Sequence, residues 1–198
     1  MLPTDDEIVA AVQSGREQDY CLLVERYQDR LVRLIERMIQ DRDEAMSLAQ
    51  DTFIAVFRAL PRYRPEGRFA PLLFRAGKNL TLNWLKRHRR VTLFSRLGQG
   101  DERTPCQIAD DRPGPEQELT QARQSVRLDA ALRRLPDNQR LALILKVYLE
   151  FSYERIGDIT GWRTPKIESL IFRARKNLIG WLAQEPAGPD VVSQEMEE

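Results

Sequence analysis

From Ser152 to Leu182 the sequence sets basic side chains at helical spacing around a short glycine turn. Ile156, Ile159, Ile167, Ile171, Ala174 and Leu178 recur at helical steps on either side of Gly161, which makes one small core shared by two helices, a helix-turn-helix. The second helix then leaves Lys166, Ser169, Phe172, Arg173 and Lys176 outside that core, with Arg163 and Thr164 at its start. Cations placed so neutralise phosphates and can donate to guanine edges when a helix enters a major groove. The same spacing also fits two helices of an ordinary bundle with a solvated charged face, so from spacing alone both readings stay open.

A second constellation runs from Arg62 through Arg90. Tyr63, Phe69, Phe74 and Trp84 are interleaved there with Arg62, Arg64, Arg68, Arg75, Lys78, Lys86, Arg87, Arg89 and Arg90. Stacking faces alternating with cations are what single-stranded nucleic acid binds. Phe74 and Trp84 are expected in the core of their helix, and Lys86 to Arg90 at a solvated helix end favoured by the dipole. Only the loop from Arg62 to Arg68 demands another explanation. Catalytic material is scarce: His88 is the one histidine and has no sequence-defined nucleophile beside it. Asp41, Asp43 and Glu44 lie at a helix start, where acids cap, and no phosphate-cradling glycine motif accompanies them. Cys21 reads as a packed thiol and Cys106 as an exposed one. No catalytic residue, metal site or cofactor is expected.

The elements that position these residues are helical throughout. Thr4 with Glu7 makes a capping box for a first helix carrying Ile8, Val9 and Val12, which Gly15 stops. A long helix follows, with Tyr20, Leu23, Val24, Tyr27, Leu31, Leu34, Ile35 and Met38 on its buried stripe and Arg26, Asp29, Arg30, Arg33 and Arg37 largely outside it. Asp41 with Glu44 caps a third helix whose stripe is Ala45, Leu48, Ala49, Thr52, Phe53, Val56 and Phe57. Phe69 to about Arg90 form the fourth, with Pro71 in its first turn. Periodicity is lost from Thr92 to Glu116 among glycines, prolines and acids, as in an interdomain linker. It resumes at Leu119, Ala122, Val126 and Leu132, then in a helix opened by Pro136-Asp137-Asn138 carrying Leu141, Leu145 and Tyr148. Ser152 and Thr164 are expected to cap the last two helices. The fold class is therefore all-α, with two small helical domains at 5–91 and 116–184, a linker at 92–115 and a disordered tail at 185–198.

Composition narrows the function. Lys and Arg number 31 against 30 Asp and Glu, so a histone-like polycation is excluded and any nucleic-acid affinity must come from segregated charge. The start Met1-Leu2-Pro3-Thr4-Asp5-Asp6-Glu7 lacks the pattern of a signal peptide, and no apolar run approaches the ~20 residues that span a bilayer. Export and membrane insertion are not expected, and sparse cysteine fits the reducing cytoplasm.

Several segments carry a family likeness. Leu23-Val24-Glu25-Arg26-Tyr27-Gln28-Asp29-Arg30-Leu31, Leu48-Ala49-Gln50-Asp51-Thr52-Phe53, Ala59-Leu60-Pro61-Arg62-Tyr63 and Phe74-Arg75-Ala76-Gly77-Lys78-Asn79-Leu80 resemble region 2 of extracytoplasmic-function sigma factors. Leu132-Arg133-Arg134-Leu135-Pro136, Arg140, Ser152-Tyr153, Ile156-Gly157, Gly161 and Arg173-Ala174-Arg175 resemble region 4 of the same family, in the same order. The likeness implies a promoter-specificity subunit that makes and breaks no bond itself. Region 2 would dock on the clamp helices of the RNA polymerase β′ subunit through Leu48, Gln50, Asp51 and Phe53. It would capture the −10 element of promoter DNA through Arg62, Tyr63, Arg64, Arg68, Lys78 and Asn79. Region 4 would sit at the β flap and read the −35 element through Arg163, Thr164, Lys166, Ser169, Arg173 and Lys176. An anti-sigma factor is the implied restraining partner. Met46 and Ser47 stand where the family usually has acids, and Leu72 where a Trp is common. Arg155, Lys166, Glu168 and Leu170 depart from the region 4 pattern, so the −35 sequence read should differ from the common one. The main alternative is a stand-alone helix-turn-helix regulator with a helical dimerisation or sensor module.

Overall fold

The computed structural model describes residues 3–64, 67–98 and 127–184, and every regular element among them is helical. Four helices make the first unit: α1 (Asp5–Gln13), α2 (Tyr20–Ile39), α3 (Arg42–Ala59) and α4 (Phe69–Gly98). The second holds α5 (127–134), α6 (Asp137–Leu143), α7 (Tyr153–Thr160) and α8 (Thr164–Gln184). The expected tail, most of the expected linker and the stripe residues Leu119, Ala122 and Val126 lie outside the described residues.

Local chemistry sets the helix starts. Thr4 and Glu7 form the reciprocal capping box of α1, and the bonds from the Thr4 backbone and hydroxyl hold the Glu7 carboxyl below its ordinary pKa. Asp41 Oδ1 accepts from the Glu44 amide at 3.0 Å, and Ser152 Oγ from the Arg155 amide at 3.1 Å. The last helix begins at Thr164 itself, so Thr164 is its first residue rather than its cap, and Pro165 lies in its first turn. Two elements depart from the expected boundaries. Helix α4 continues past Arg90 to Gly98, because Val91 to Leu97 contain no breaker even though the apolar period fades. Lys86 to Arg90 are therefore mid-helix and not a helix end. Helix α6 widens into a π turn over Ile144–Tyr148, closed by the Leu149 amide donating to the Ile144 carbonyl at 3.1 Å. Glu150 then takes a left-handed φ of 55°, which reverses the chain and sends Phe151 back into the core.

Apolar stripes fuse the first unit. Leu23, Leu31, Leu34, Ile35 and Met38 of α2 pack with Ala45, Ala49 and Val56 of α3 and with Phe69, Leu73 and Phe74 of α4, all buried. The Thr52 and Thr81 hydroxyls are buried too, each donating to the carbonyl four residues back. Asp5 ties α1 to α2 by accepting from Arg26 and from the Tyr27 hydroxyl, and burial pushes the Tyr27 phenol above its ordinary pKa. Cys21 is exposed rather than packed: the stripe through Tyr20, Leu23, Val24 and Tyr27 turns position 21 outward.

Gly77 lets α2 and α4 approach closely. A methyl at its Cα would sit 2.7 Å from Leu31 Cδ1, which is itself fully buried. Gly77→Val should therefore destabilise the chain by about 1–3 kcal/mol through overpacking, and Gly77→Ala by less because Ala regains helix propensity. Urea unfolding of the three proteins measures the difference.

Candidate nucleic-acid interface

Helix α8 is held from one side only. Ile167, Ile171, Ala174 and Leu178 are buried against α6 and α7, while Arg163, Thr164, Lys166, Ser169, Arg173 and Lys176 are all exposed, as the spacing requires. Gly161 makes the turn that orients this helix: it ends α7 at a left-handed φ of 76°, its amide donating to the Gly157 carbonyl at 2.7 Å. Phe172 stands out of the core beside Arg173, 69% exposed, an apolar face suited to a thymine methyl. Lys166 lies over the Trp162 ring at 5.2 Å, which steadies the lysine without burying it. Glu168 is exposed within the same turn.

The loop that leads into α4 is anchored by α1. Gln13 Nε2 donates to the Leu60 and Tyr63 carbonyls, both at 2.7 Å, and the Gly67 amide donates to Asp6 Oδ2 at 2.8 Å. Arg62, Arg64 and Arg68 are exposed and Tyr63 is half-buried. Asn79, also exposed, lies ten residues into α4 from Phe69, about 15 Å along the helix. Lys78 is half-buried, its ammonium donating to the Ile159 carbonyl at 3.3 Å, and burial followed by the neighbouring Arg75 charge holds it below the usual lysine pKa. Neither the anchoring by Gln13 and Asp6 nor the engagement of Lys78 was visible in the sequence, because each partner lies tens of residues away.

Helix α3 divides the four expected docking residues into two pairs. Gln50 and Asp51 are exposed, whereas Leu48 and Phe53 are each only 7% exposed. The Phe53 ring lies against Tyr20, whose hydroxyl donates to the Phe53 carbonyl at 2.9 Å. Beside Gln50 and Asp51, α3 also exposes two large apolar side chains, Met46 and Ile54. His88 stacks on Trp84 at 3.7 Å between centroids, and Trp84 in turn donates to Glu44 at 3.1 Å. Among the described residues there is no group of three His, Cys, Asp or Glu side chains placed to hold a metal, and no helix long and apolar enough to cross a membrane.

Comparison with known proteins agrees with this arrangement of a loop-and-helix face followed by a helix-turn-helix. Residues 23–91 match the Sigma-70 region 2 family and residues 125–178 match Sigma-70, region 4. The chain is 36% identical over 162 residues to the ECF RNA polymerase sigma factor SigE of Mycolicibacterium smegmatis, covering 82% of this chain and 61% of that protein. It is 31% identical over 179 residues to the RNA polymerase sigma-H factor of Pseudomonas aeruginosa, covering 87% of this chain and 90% of that protein. Two solved structures share the fold. CnrH in complex with the cytosolic domain of CnrY has a TM-score of 0.68 at 20% identity, covering 92% of this chain and 99% of that one. The sigma factor RpoE in complex with the anti-sigma factor NepR from Bartonella quintana has a TM-score of 0.64 at 22% identity, covering 85% and 99%. The chain belongs to the extracytoplasmic-function sigma factors of the sigma-70 family.

The split of α3 into packing and presenting residues is testable on stability alone. Leu48→Ala should cost about 2–5 kcal/mol, the usual range for truncating a buried leucine, whereas Gln50→Ala should stay within about 0.5 kcal/mol. Denaturant midpoints of the two variants check this.

Proposed function

We propose that the chain gives core RNA polymerase its promoter specificity, its region 2 unit docking on the β′ clamp helices and capturing the −10 element, its region 4 unit sitting at the β flap and reading the −35 element. The observation that carries this reading is the ordered pair of family matches, region 2 then region 4, in one chain whose α8 presents Lys166, Arg173 and Lys176 outward. The stand-alone regulator alternative is not favoured, since it gives no reason for a region 2 unit ahead of the helix-turn-helix. Gln50 and Asp51 are the docking residues supported by exposure, with Leu48 and Phe53 shaping the helix that carries them. Asn79 and the Tyr63 loop supply an amide and a ring for an unstacked base, and the loop cations hold its backbone. The chain needs no catalytic group of its own, because bond formation belongs to the polymerase, and its place is the cytoplasm with the polymerase and the DNA. An anti-sigma partner is supported by two relatives of the same fold, CnrH and RpoE, having been solved bound to CnrY and NepR.

Transcription with core polymerase and genomic fragments should yield discrete start sites with this protein present, and their absence with a folded protein overturns the reading. In that assay Asn79→Ala should impair promoter opening more than duplex −35 binding. On α8, Arg173→Ala should weaken binding to all −35 duplexes alike and flatten the salt dependence by about one unit of slope, as loss of one phosphate contact does. Lys166→Ala should cost about 1–3 kcal/mol on the preferred sequence only, as loss of a base contact does. Titrations on matched and scrambled duplexes at several salt concentrations separate the two.

A further inference from the structure

A helix from the start of the chain holds both ends of the basic loop between α3 and α4. Asp6 and Gln13 lie seven residues apart on one face of α1, about 10 Å along its axis. At the loop's entry the Tyr63 amide closes one short 3₁₀ turn on the Leu60 carbonyl at 2.9 Å. Gln13 Nε2 donates to that same carbonyl and to the carbonyl of Tyr63, both at 2.7 Å. The peptide groups on both sides of Tyr63 are thereby fixed, and only the side-chain torsions remain to its half-buried ring. At the exit the Gly67 amide donates to Asp6 Oδ2 at 2.8 Å, and the next carbonyl, that of Arg68, accepts from Leu72 as α4 begins. The other Asp6 oxygen, Oδ1, is buried without a hydrogen-bond donor among the described residues, a cost that stability alone does not explain. Helix α1 is itself braced on α2: Asp5 accepts from Arg26 and Tyr27, Arg26 also donates to the Pro3 carbonyl at 2.7 Å, and Ile8, Val9 and Val12 are buried. The region 2 match begins at residue 23, so the helix that places the loop lies outside the matched segment.

We propose that Asp6 and Gln13 are positioning residues for base selection: by fixing the loop at both ends they set where the Tyr63 ring stands relative to Asn79, and so which base the −10 face accepts. Neither side chain needs to touch the strand. A stacking ring and a hydrogen-bonding amide discriminate only when both reach the same base, and a displacement of about 1 Å is enough to forfeit such a contact. The exposed cations Arg62, Arg64 and Arg68 act on backbone charge, and that attraction falls slowly with distance. Releasing the loop from α1 therefore weakens the choice among bases more than it weakens the hold on the strand. This deepens the sigma-factor reading of the −10 face and rests on it.

The test uses the full chain with core polymerase on a promoter obtained from the genomic-fragment transcription, each position of its −10 and −35 elements randomised in turn and the transcripts sequenced. In Asp6→Ala and in Gln13→Ala the base preference should fall about fivefold, the lower end of what one base pair contributes, at the −10 position whose preference Asn79→Ala also removes. The −35 preferences and the amount of holoenzyme formed should stay as in the parent, which a loss of folding would not allow. Asp6→Asn keeps an acceptor for the Gly67 amide without the charge and should recover most of the preference. Glu7→Ala opens the capping box of α1 without touching the loop and should leave the preference intact. Circular dichroism verifies that the variants keep their helices. Preferences unchanged in both alanine variants, or shifted as much by Glu7→Ala, overturn the proposal. A folded parent without discrete start sites removes the sigma reading and the proposal with it, whereas discrete start sites with unchanged preferences remove the positioning role alone.

Discussion

A guanidinium with almost no access to water holds the two helical units together. Arg140 is 5% exposed, and it donates to the carbonyl of Met38 in the first unit at 2.7 Å and to those of Arg133 and Leu135 in the second at 2.6 and 3.2 Å. Burial is the largest influence on its pKa and pushes it down, with Asp137 opposing. Dehydrating such a cation costs several kcal/mol, so it persists only where acceptors are already placed. They are placed because α2 and α5 both end there, leaving carbonyls with no intrahelical donor. Gln40, in the left-handed conformation that stops α2, extends the junction by donating to the Asp129 carbonyl and accepting from Arg133.

The same device recurs along the junction. Arg30 reaches the Leu149 carbonyl just after the π turn and lies over the Phe151 ring at 4.7 Å. Arg75 and Lys78 complete α7. Carboxylates add to this, Asp129 pairing with Arg37 and Asp137 taking both terminal nitrogens of Arg89 at 2.6 and 2.9 Å. Helix ends supply oxygens bearing partial negative charge, and basic residues of a nucleic-acid-binding protein are the natural donors to them. Arg140 is the most deeply buried of these cations, so it fixes which helix ends meet.

Within each helix the sequence was a good guide, and between helices it was a poor one. The stripe of α2, the capping box of α1, the caps at Asp41 and Ser152 and the inward set of α8 all follow from spacing that neighbouring residues enforce. Arg30 and Arg37 lie outside that stripe yet are half-buried in the junction, because a period records which way a residue points and not what faces it. The π turn left no pattern to find, as one extra residue per turn is compatible with the same apolar run. Leu48 and Phe53 show the opposite limit. Their place in a family motif implied a docking role, and their position on the α3 stripe, legible from the start, is what the packing obeys.

Site-specific photocrosslinking in the complete initiation complex tests the assignment of one reading surface to each unit most directly. A crosslinker at Asn79 should label the melted non-template strand and one at Ser169 the upstream duplex, at two separate positions. Both labelling the same duplex segment would contradict it.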